Sequence, residues 1–174
     1  MVALALTCLP HPSCLAEEEL LKQCTWWADR RSGPGGQHRN KVQTAVVMEH
    51  QASGVRAEAS ERRSQPDNRR LAIRRLRLAL AVQVRSPELL AAPSALWQQR
   101  APRGRLSVSA EHPELACLLA EVLDRLATVD YALADCAQFF GVSSSQLVKL
   151  LRSWPPALAH VNALRAQRGL HKLS

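Results

Sequence analysis

The run Ser32-Gly33-Pro34-Gly35-Gly36-Gln37-His38-Arg39-Asn40-Lys41 constrains this chain more than any other stretch. Three glycines and a proline in close succession describe a loop whose backbone visits angles that side chains forbid. Gly35 and Gly36 carry no Cβ, so a neighbouring N–H can come very close to a ligand. Gln37 and His38 stand at the tip, with Arg30 and Arg31 on one shoulder and Arg39 and Lys41 on the other. The spacing matches neither a phosphate loop nor a dinucleotide fingerprint. Residue chemistry alone describes a tight, exposed loop suited to a crowded polyanionic site. Residues 30 to 43 can project about 20 Å when doubled back, since each residue spans at most about 3.5 Å.

Charge gathers around this loop. From Arg30 to Arg85, twelve Arg and one Lys face Glu49, Glu58, Glu61 and Asp67, a net of +9 against +8 for the whole chain. The basic half implies an anionic partner, and arginine suits bidentate phosphate contacts. The five cysteines form no CxxC pair, and their odd number argues against a disulfide framework. Met1 to Leu9 is apolar but lacks a basic flank and a long apolar segment, and no run reaches the length of a membrane span. The histidines show no metal-like grouping. A cytoplasmic monomer with reduced thiols, no metal and no cofactor is the expectation.

The 174 residues suffice for one ordinary domain or two small ones. Ala16 to Gln23 reads as a short helix with an acidic first turn, and Cys24 to Asp29 as a strand in which Trp26 and Trp27 alternate, one core and one partly exposed. Thr44 to His50 and Val55 to Ser60 read as a hairpin around Ala52-Ser53-Gly54. Ser64 and Gln65 suit a capping turn, followed by a helix from Pro66 to about Val84. Ile73, Leu76, Leu80 and Val84 share one face of it, and Arg70, Arg74 and Arg77 another. Those arginines fit a solvated face or RNA contact equally well. Pro87, Pro93 and Pro102, with Pro113 just beyond, mark residues 87–112 as a linker with little regular structure. Leu115, Leu118, Leu119, Val122 and Leu126 then form an apolar helical stripe. Ala137-x-x-x-Gly141-Val142-Ser143-x-x-x-Leu147 has helix-turn-helix spacing, although a three- or four-helix bundle fits it as well. The expected fold is α+β: a small mixed sheet with a basic helix and a projecting loop over residues 1–86, then an all-α domain over 113–174.

The Gly-Gly-Gln run, with Thr44-Ala45-Val46 after it and Glu61-Arg62-Arg63-Ser64-Gln65 and Asn68-Arg69 further on, resembles the signature of class I peptide chain release factors. The likeness covers roughly residues 20 to 85. Arg31 and Arg39 depart from the small and aliphatic residues usual there, and Pro66-Asp67 from an often basic pair. The resemblance implies hydrolysis of the ester between nascent peptide and tRNA in the large subunit's peptidyl transferase centre. It implies Gly35, Gly36 and Gln37 as catalytic, with Gln37 delivering its N–H toward the leaving oxygen and shaping the water's pocket. Losing one such donor typically costs about 3 kcal/mol, roughly a hundredfold in rate. Arg30, Arg31, His38, Arg39, Lys41, Arg62, Arg63, Arg70 and Arg74 are the expected rRNA and tRNA contacts. The family also makes Gln37 a candidate for methylation by a glutamine methyltransferase.

None of the family's codon-reading tripeptides occurs in the sequence, and no Lys-rich tail like that of rescue factors follows the last helix. The chain therefore resembles a stand-alone Gly-Gly-Gln hydrolase acting without a codon on stalled ribosomes or split large subunits. A non-catalytic ribosomal RNA-binding protein that keeps the fold is the alternative. A DNA-binding role for the C-terminal helices is a third reading, weakened by the few bases on the second helix of the pair, Lys149 and Arg152.

Overall fold

The computed structural model describes residues 11–29, 44–87 and 90–174. Its described strands are β1 (Cys24–Asp29), β2 (Ala45–His50) and β3 (Arg56–Ala59), and its helices are α1 (Glu17–Lys22), α2 (Gln65–Gln83), α3 (Ala95–Arg100), α4 (Leu115–Thr128), α5 (Leu133–Phe140), α6 (Ser144–Arg152) and α7 (Pro155–Gln167). The fold is α+β, as expected. Its sheet runs β1-β2-β3 with both pairings antiparallel, where a mixed sheet was expected. The 30–43 segment joins neighbouring strands β1 and β2, which need no crossover to pair antiparallel.

Register decides which side chains meet the helix above the sheet. Trp26 faces Met48 and Ala28 faces Val46 across β1 and β2, while Val46 and Met48 face Ala59 and Ala57 across β2 and β3. Val46, Met48 and Ala59 are buried with Val55 and Leu20 against Ala72, Ile73, Leu76 and Leu80 of α2. This is the face of α2 legible from its periodicity. The two tryptophans correct the expectation of one core and one exposed ring: Trp26 is 45% and Trp27 39% exposed. β1 is an edge strand, so both rings lie against arginine instead. The Arg69 guanidinium sits 5.3 Å from the Trp26 ring, and that of Arg56 5.9 Å from Trp27.

A second face of α2 is buried too. Leu78, Ala81 and Val82 join Leu115, Leu118, Leu119, Val122, Leu123 and Leu126 of α4 in a separate apolar cluster, which α5, α6 and α7 complete through Phe140, Leu147, Leu151 and Val161. Arg85 ties the two helices: its guanidinium donates to the Ala81 and Val82 carbonyls at 2.6 Å, closing the end of α2, and pairs with Asp124 of α4 at 3.0 Å. Residues 87–112 also hold more order than a linker. Ser94 caps α3 by accepting from the Trp97 N–H at 3.0 Å and is itself held by Glu121 of α4. The apolar stem of Trp97 is what makes this segment fold: its ring is 1% exposed, lies 4.1 Å from the Phe140 ring and donates Nε1–H to the Phe140 carbonyl at 3.1 Å. Its prolines therefore punctuate the segment without keeping it open.

The helix-turn-helix spacing forms the expected turn. Gly141 ends α5 at φ 62°, a left-handed value that favours glycine, and the Val142 N–H returns to the Ala137 carbonyl at 3.1 Å. Ser143 then caps α6 through Gln146 N–H. At the other end of the chain, His11 holds the short turn Pro12–Cys14. Its Nδ1 accepts from the Ser13 N–H at 3.1 Å while Nε2–H donates to the Val84 carbonyl at 3.2 Å. Burial pushes the imidazole below its ordinary value of 6.5, and the same cause acts on His50 and His160.

Two outcomes follow from this packing. Trp97→Ala removes a fully buried ring and its hydrogen bond, and thermal or urea unfolding should show a loss of about 3–5 kcal/mol. All three histidines are depressed in the folded state, so the stability they contribute is full above the unfolded value of about 6.5 and is lost as pH falls through their folded values. The unfolding midpoint should drop between pH 7 and pH 5, and a flat midpoint across that window would contradict the assignment.

Candidate functional site

Gly35, Gly36 and Gln37, and with them Arg30, Arg31, His38, Arg39 and Lys41, lie outside the described residues. What the structure describes is the footing from which they extend. Asp29 and Ala45 are register partners at the ends of β1 and β2. Directly opposed residues of an antiparallel pair lie about 5 Å apart, so the 30–43 segment leaves and rejoins the sheet at neighbouring points.

Asn68 locks the returning foot. It lies in the first turns of α2 and is fully buried. Its Nδ2 donates to the Thr44 carbonyl at 2.7 Å and to the Arg62 carbonyl at 2.9 Å, while Oδ1 accepts from the Arg62 N–H at 2.8 Å. One carboxamide thus joins three chain segments: the start of β2, the β3–α2 turn and α2 itself. Asparagine is a poor helix former, because its side chain competes for nearby backbone groups. That competition is the purpose here. The sequence signal was the burial-compatible phase of Asn68, four residues before Ala72 and eight before Leu76, which placed a polar amide on the core face. It was read only as part of a family likeness.

Ser64 occupies the N-cap of α2, as expected from the capping turn, but its hydroxyl makes no capping bond. The Asn68 N–H bonds the Ser64 carbonyl at 3.1 Å, and the turn is held from within by Asn68 rather than by a serine cap. Glu61 in the same turn pairs with Arg75 at 2.7 Å, and this hydrogen bond holds its carboxyl below the usual range. Arg75 also donates to the Glu58 carbonyl at 2.7 Å. Arg62 and Arg63 are left exposed on the outside of the turn, pointing charge into solvent beside the foot of the loop.

From Arg62 an open groove of about 450 Å³ runs along α2, lined by Asp67, Arg70, Leu71, Arg74 and Glu111. Arg70 is exposed and pairs with Asp67 within its own helix. Arg74 is more committed: it pairs with Glu111 at 2.8 Å and donates to the Ala110 carbonyl at 2.8 Å. Arg77, further along, donates to the Ser13 carbonyl at 2.9 Å. The arginine face of α2 therefore grades from an exposed ion pair within the helix, Arg70 with Asp67, to structural anchors at the helical end. Among the described residues no group of three or more His, Cys, Asp or Glu is arranged to hold a metal.

Asn68→Ala should cost about 2 kcal/mol or more in unfolding experiments, because it strands the Thr44 and Arg62 backbone groups. Asn68→Asp, though equal in size, should be at least as damaging, since a carboxylate oxygen would face two carbonyl oxygens. A variant of either kind as stable as the parent would refute the clamp.

Residues 21–106 match the RF-1 domain family. The chain is 54% identical over 43 residues to "Peptide chain release factor homolog" of Escherichia coli, a stretch that covers 25% of this chain and 21% of that protein. It is 42% identical over 62 residues to "Peptide chain release factor 1" of Xylella fastidiosa, covering 36% and 17% of the two chains. With "Peptide chain release factor 1-like, mitochondrial" of Rattus norvegicus the identity is 45% over 51 residues, covering 29% and 14%. The matched stretches span about a fifth or less of these relatives' lengths. The matched region takes in the loop sequence, its footing, Asn68 and the whole of α2, and over these residues the chain is release factor-like.

Proposed function

We propose that the protein hydrolyses the ester bond of peptidyl-tRNA on the ribosome without reading a codon, releasing nascent peptide from stalled ribosomes or split large subunits. The observation that carries the reading is the clamped footing: Asp29 and Ala45 side by side, Thr44 bound by Asn68, and Arg62 and Arg63 exposed next to them. It supports a loop held by a rigid base and flanked by cations that grip RNA phosphate.

The chemistry follows from Gly35-Gly36-Gln37. Water attacks the ester carbonyl, the carbon–oxygen bond to the tRNA 3′-oxygen breaks, one proton of the water ends on that oxygen, and the other passes to solvent as the peptide leaves as a carboxylate. The Gln37 N–H stabilises charge on the leaving oxygen, and the glycines beside it leave room for the approach. The Gln37 side chain narrows the pocket to water and excludes larger nucleophiles. His38 orients the site, and Arg30, Arg31, Arg39 and Lys41 contact phosphate, joined by Arg62, Arg63, Arg70 and Arg74 along the groove. Arg74 contacts RNA only by exchanging its bond with Glu111. Gln37 is the residue a glutamine methyltransferase would modify. Codon independence is supported by what accompanies the RF-1 domain here, a helical region packed on the far side of α2. Among the described residues no helix is long and apolar enough to cross a membrane.

Single-turnover release of labelled peptide from ribosomes stalled on an mRNA without a stop codon tests this directly. Gly36→Ala should lower release by roughly a hundredfold with ribosome binding retained. Binding without release by either protein would sink the hydrolase and favour a non-catalytic RNA-binding role. Release confined to complexes carrying a stop codon would sink codon independence.

A further inference from the structure

Most described cations of this chain are already neutralised or bound. Lys22, Arg56, Arg70, Arg74, Arg75, Arg85, Arg100 and Arg168 each pair with a carboxylate, and Arg77 and Arg165 are held by backbone carbonyls. Among the described residues, the exposed cations for which no carboxylate pairing is seen are Arg62 and Arg63, Lys172 near the last helix, and a group of four at another place: Arg103, Arg105, Lys149 and Arg152. These four come from two distant stretches of chain, residues 103–105 and α6, and the fold brings residues 104–106 against the start of α6.

Gln146 joins those stretches. Its Nε2 donates to the Gly104 carbonyl at 2.8 Å and its Oε1 accepts from the Leu106 N–H at 2.6 Å, so residues 104–106 are stapled to the start of α6. Gly104 has φ 73°, and a Cβ there would lie 2.7 Å from the Gly141 carbonyl oxygen in the α5–α6 turn. The two backbones are as close as glycine permits. Arg103 and Arg105 flank that contact and project from it. On α6, Ser145, Lys149 and Arg152 are exposed at i, i+4 and i+7, one face of the helix, while Leu147, Leu150 and Leu151 are buried on the other. The exposed face of α6 carries hydroxyls and positive charge and no acid.

We infer that this face, built from the stapled Arg103–Arg105 loop and the outer side of α6, is a second RNA-docking surface that grips the phosphate backbone of an RNA double helix. Four unneutralised cations on a rigid support fit a polyanion. A duplex fits better than a single strand, because the face offers no exposed aromatic ring on which unpaired bases stack. A lipid surface fits less well: among the described residues the exposed large apolar side chains, Trp26, Trp27, Leu90 and Leu170, all lie elsewhere in the sequence. The choice of RNA over DNA rests on the ribosomal reading above. The surface gives the helical region a task in that reading: it holds the protein to a ribosomal RNA helix at a distance from the loop.

The test uses the full chain with Arg105→Glu, Lys149→Glu and Arg152→Glu combined, all at exposed positions, and a 20-base-pair RNA duplex as probe. Equal thermal unfolding of parent and variant establishes that the fold is kept. The triple variant should bind the duplex at least tenfold more weakly in 0.1 M salt, with a shallower dependence of affinity on salt because fewer counterions are released. A variant binding the RNA duplex like the parent overturns the surface. Tighter binding of the parent to a DNA duplex of the same sequence overturns its assignment to RNA. Peptide release is measured in parallel on stalled ribosomes. Loss of duplex binding in the variant with no release by the parent leaves the surface standing and fails the hydrolase, whereas intact release with unchanged duplex binding fails the surface alone.

Discussion

Helix α2 is buried on two sides, and both cores of the molecule depend on it. Ala72, Ile73, Leu76 and Leu80 close the sheet, while Leu78, Ala81 and Val82 close the helical cluster. Each fully buried leucine removes about 2 kcal/mol worth of apolar surface from water, so neither cluster stands without its share of this helix. What remains of its circumference is arginine. Those side chains, unable to enter either core, work along the seams: Arg74 to the Ala110 carbonyl and the Glu111 carboxylate, Arg77 to the Ser13 carbonyl, and just past the helix Arg85 to Asp124.

This arrangement links stability to function through Asn68. The same helix that carries two cores also carries the amide that fixes the start of β2 and the β3–α2 turn. On the function proposed above, a loop that delivers a backbone N–H to a reacting oxygen needs a base that does not yield, because misplacement by about 1 Å costs catalysis heavily. Burying a polar side chain with all three of its polar hydrogen-bonding contacts met is how this fold supplies that base. The helical region packs on the other buried face of α2, away from the sheet.

The element boundaries were legible because local signals agreed. Cys24–Asp29 and the hairpin follow alternation and the Ala52-Ser53-Gly54 turn, and the α5–α6 turn follows from Gly141 and Ser143. Readings that needed a partner failed or stopped short. Trp26 and Trp27 are both exposed because β1 lies at the sheet's edge, which alternation does not report. Residues 87–112 looked open on their prolines, and only the pocket formed with α4 and α5 shows why Trp97 orders them. The second apolar face of α2 was hidden because Leu78, Ala81 and Val82 sit among arginines and blur a single stripe.

The sequence alone settled the chemistry on offer and the α+β class: the Gly35-Gly36-Gln37 run, the basic half and the helix-turn-helix spacing are covalent facts that local rules interpret. Tertiary structure decided which of those groups tie distant segments together. Arg70 and Arg74 look equivalent in the chain, yet Arg70 pairs with Asp67 in its own helix and Arg74 is tied to residues 110 and 111. Asn68 became a clamp only when Thr44 and Arg62 arrived beside it, and Arg103 met α6 only through Gln146 and the Gly104–Gly141 contact. The reason is physical: a hydrogen bond or ion pair exists at about 3 Å between groups far apart in the chain, and only the packed fold brings them within that distance.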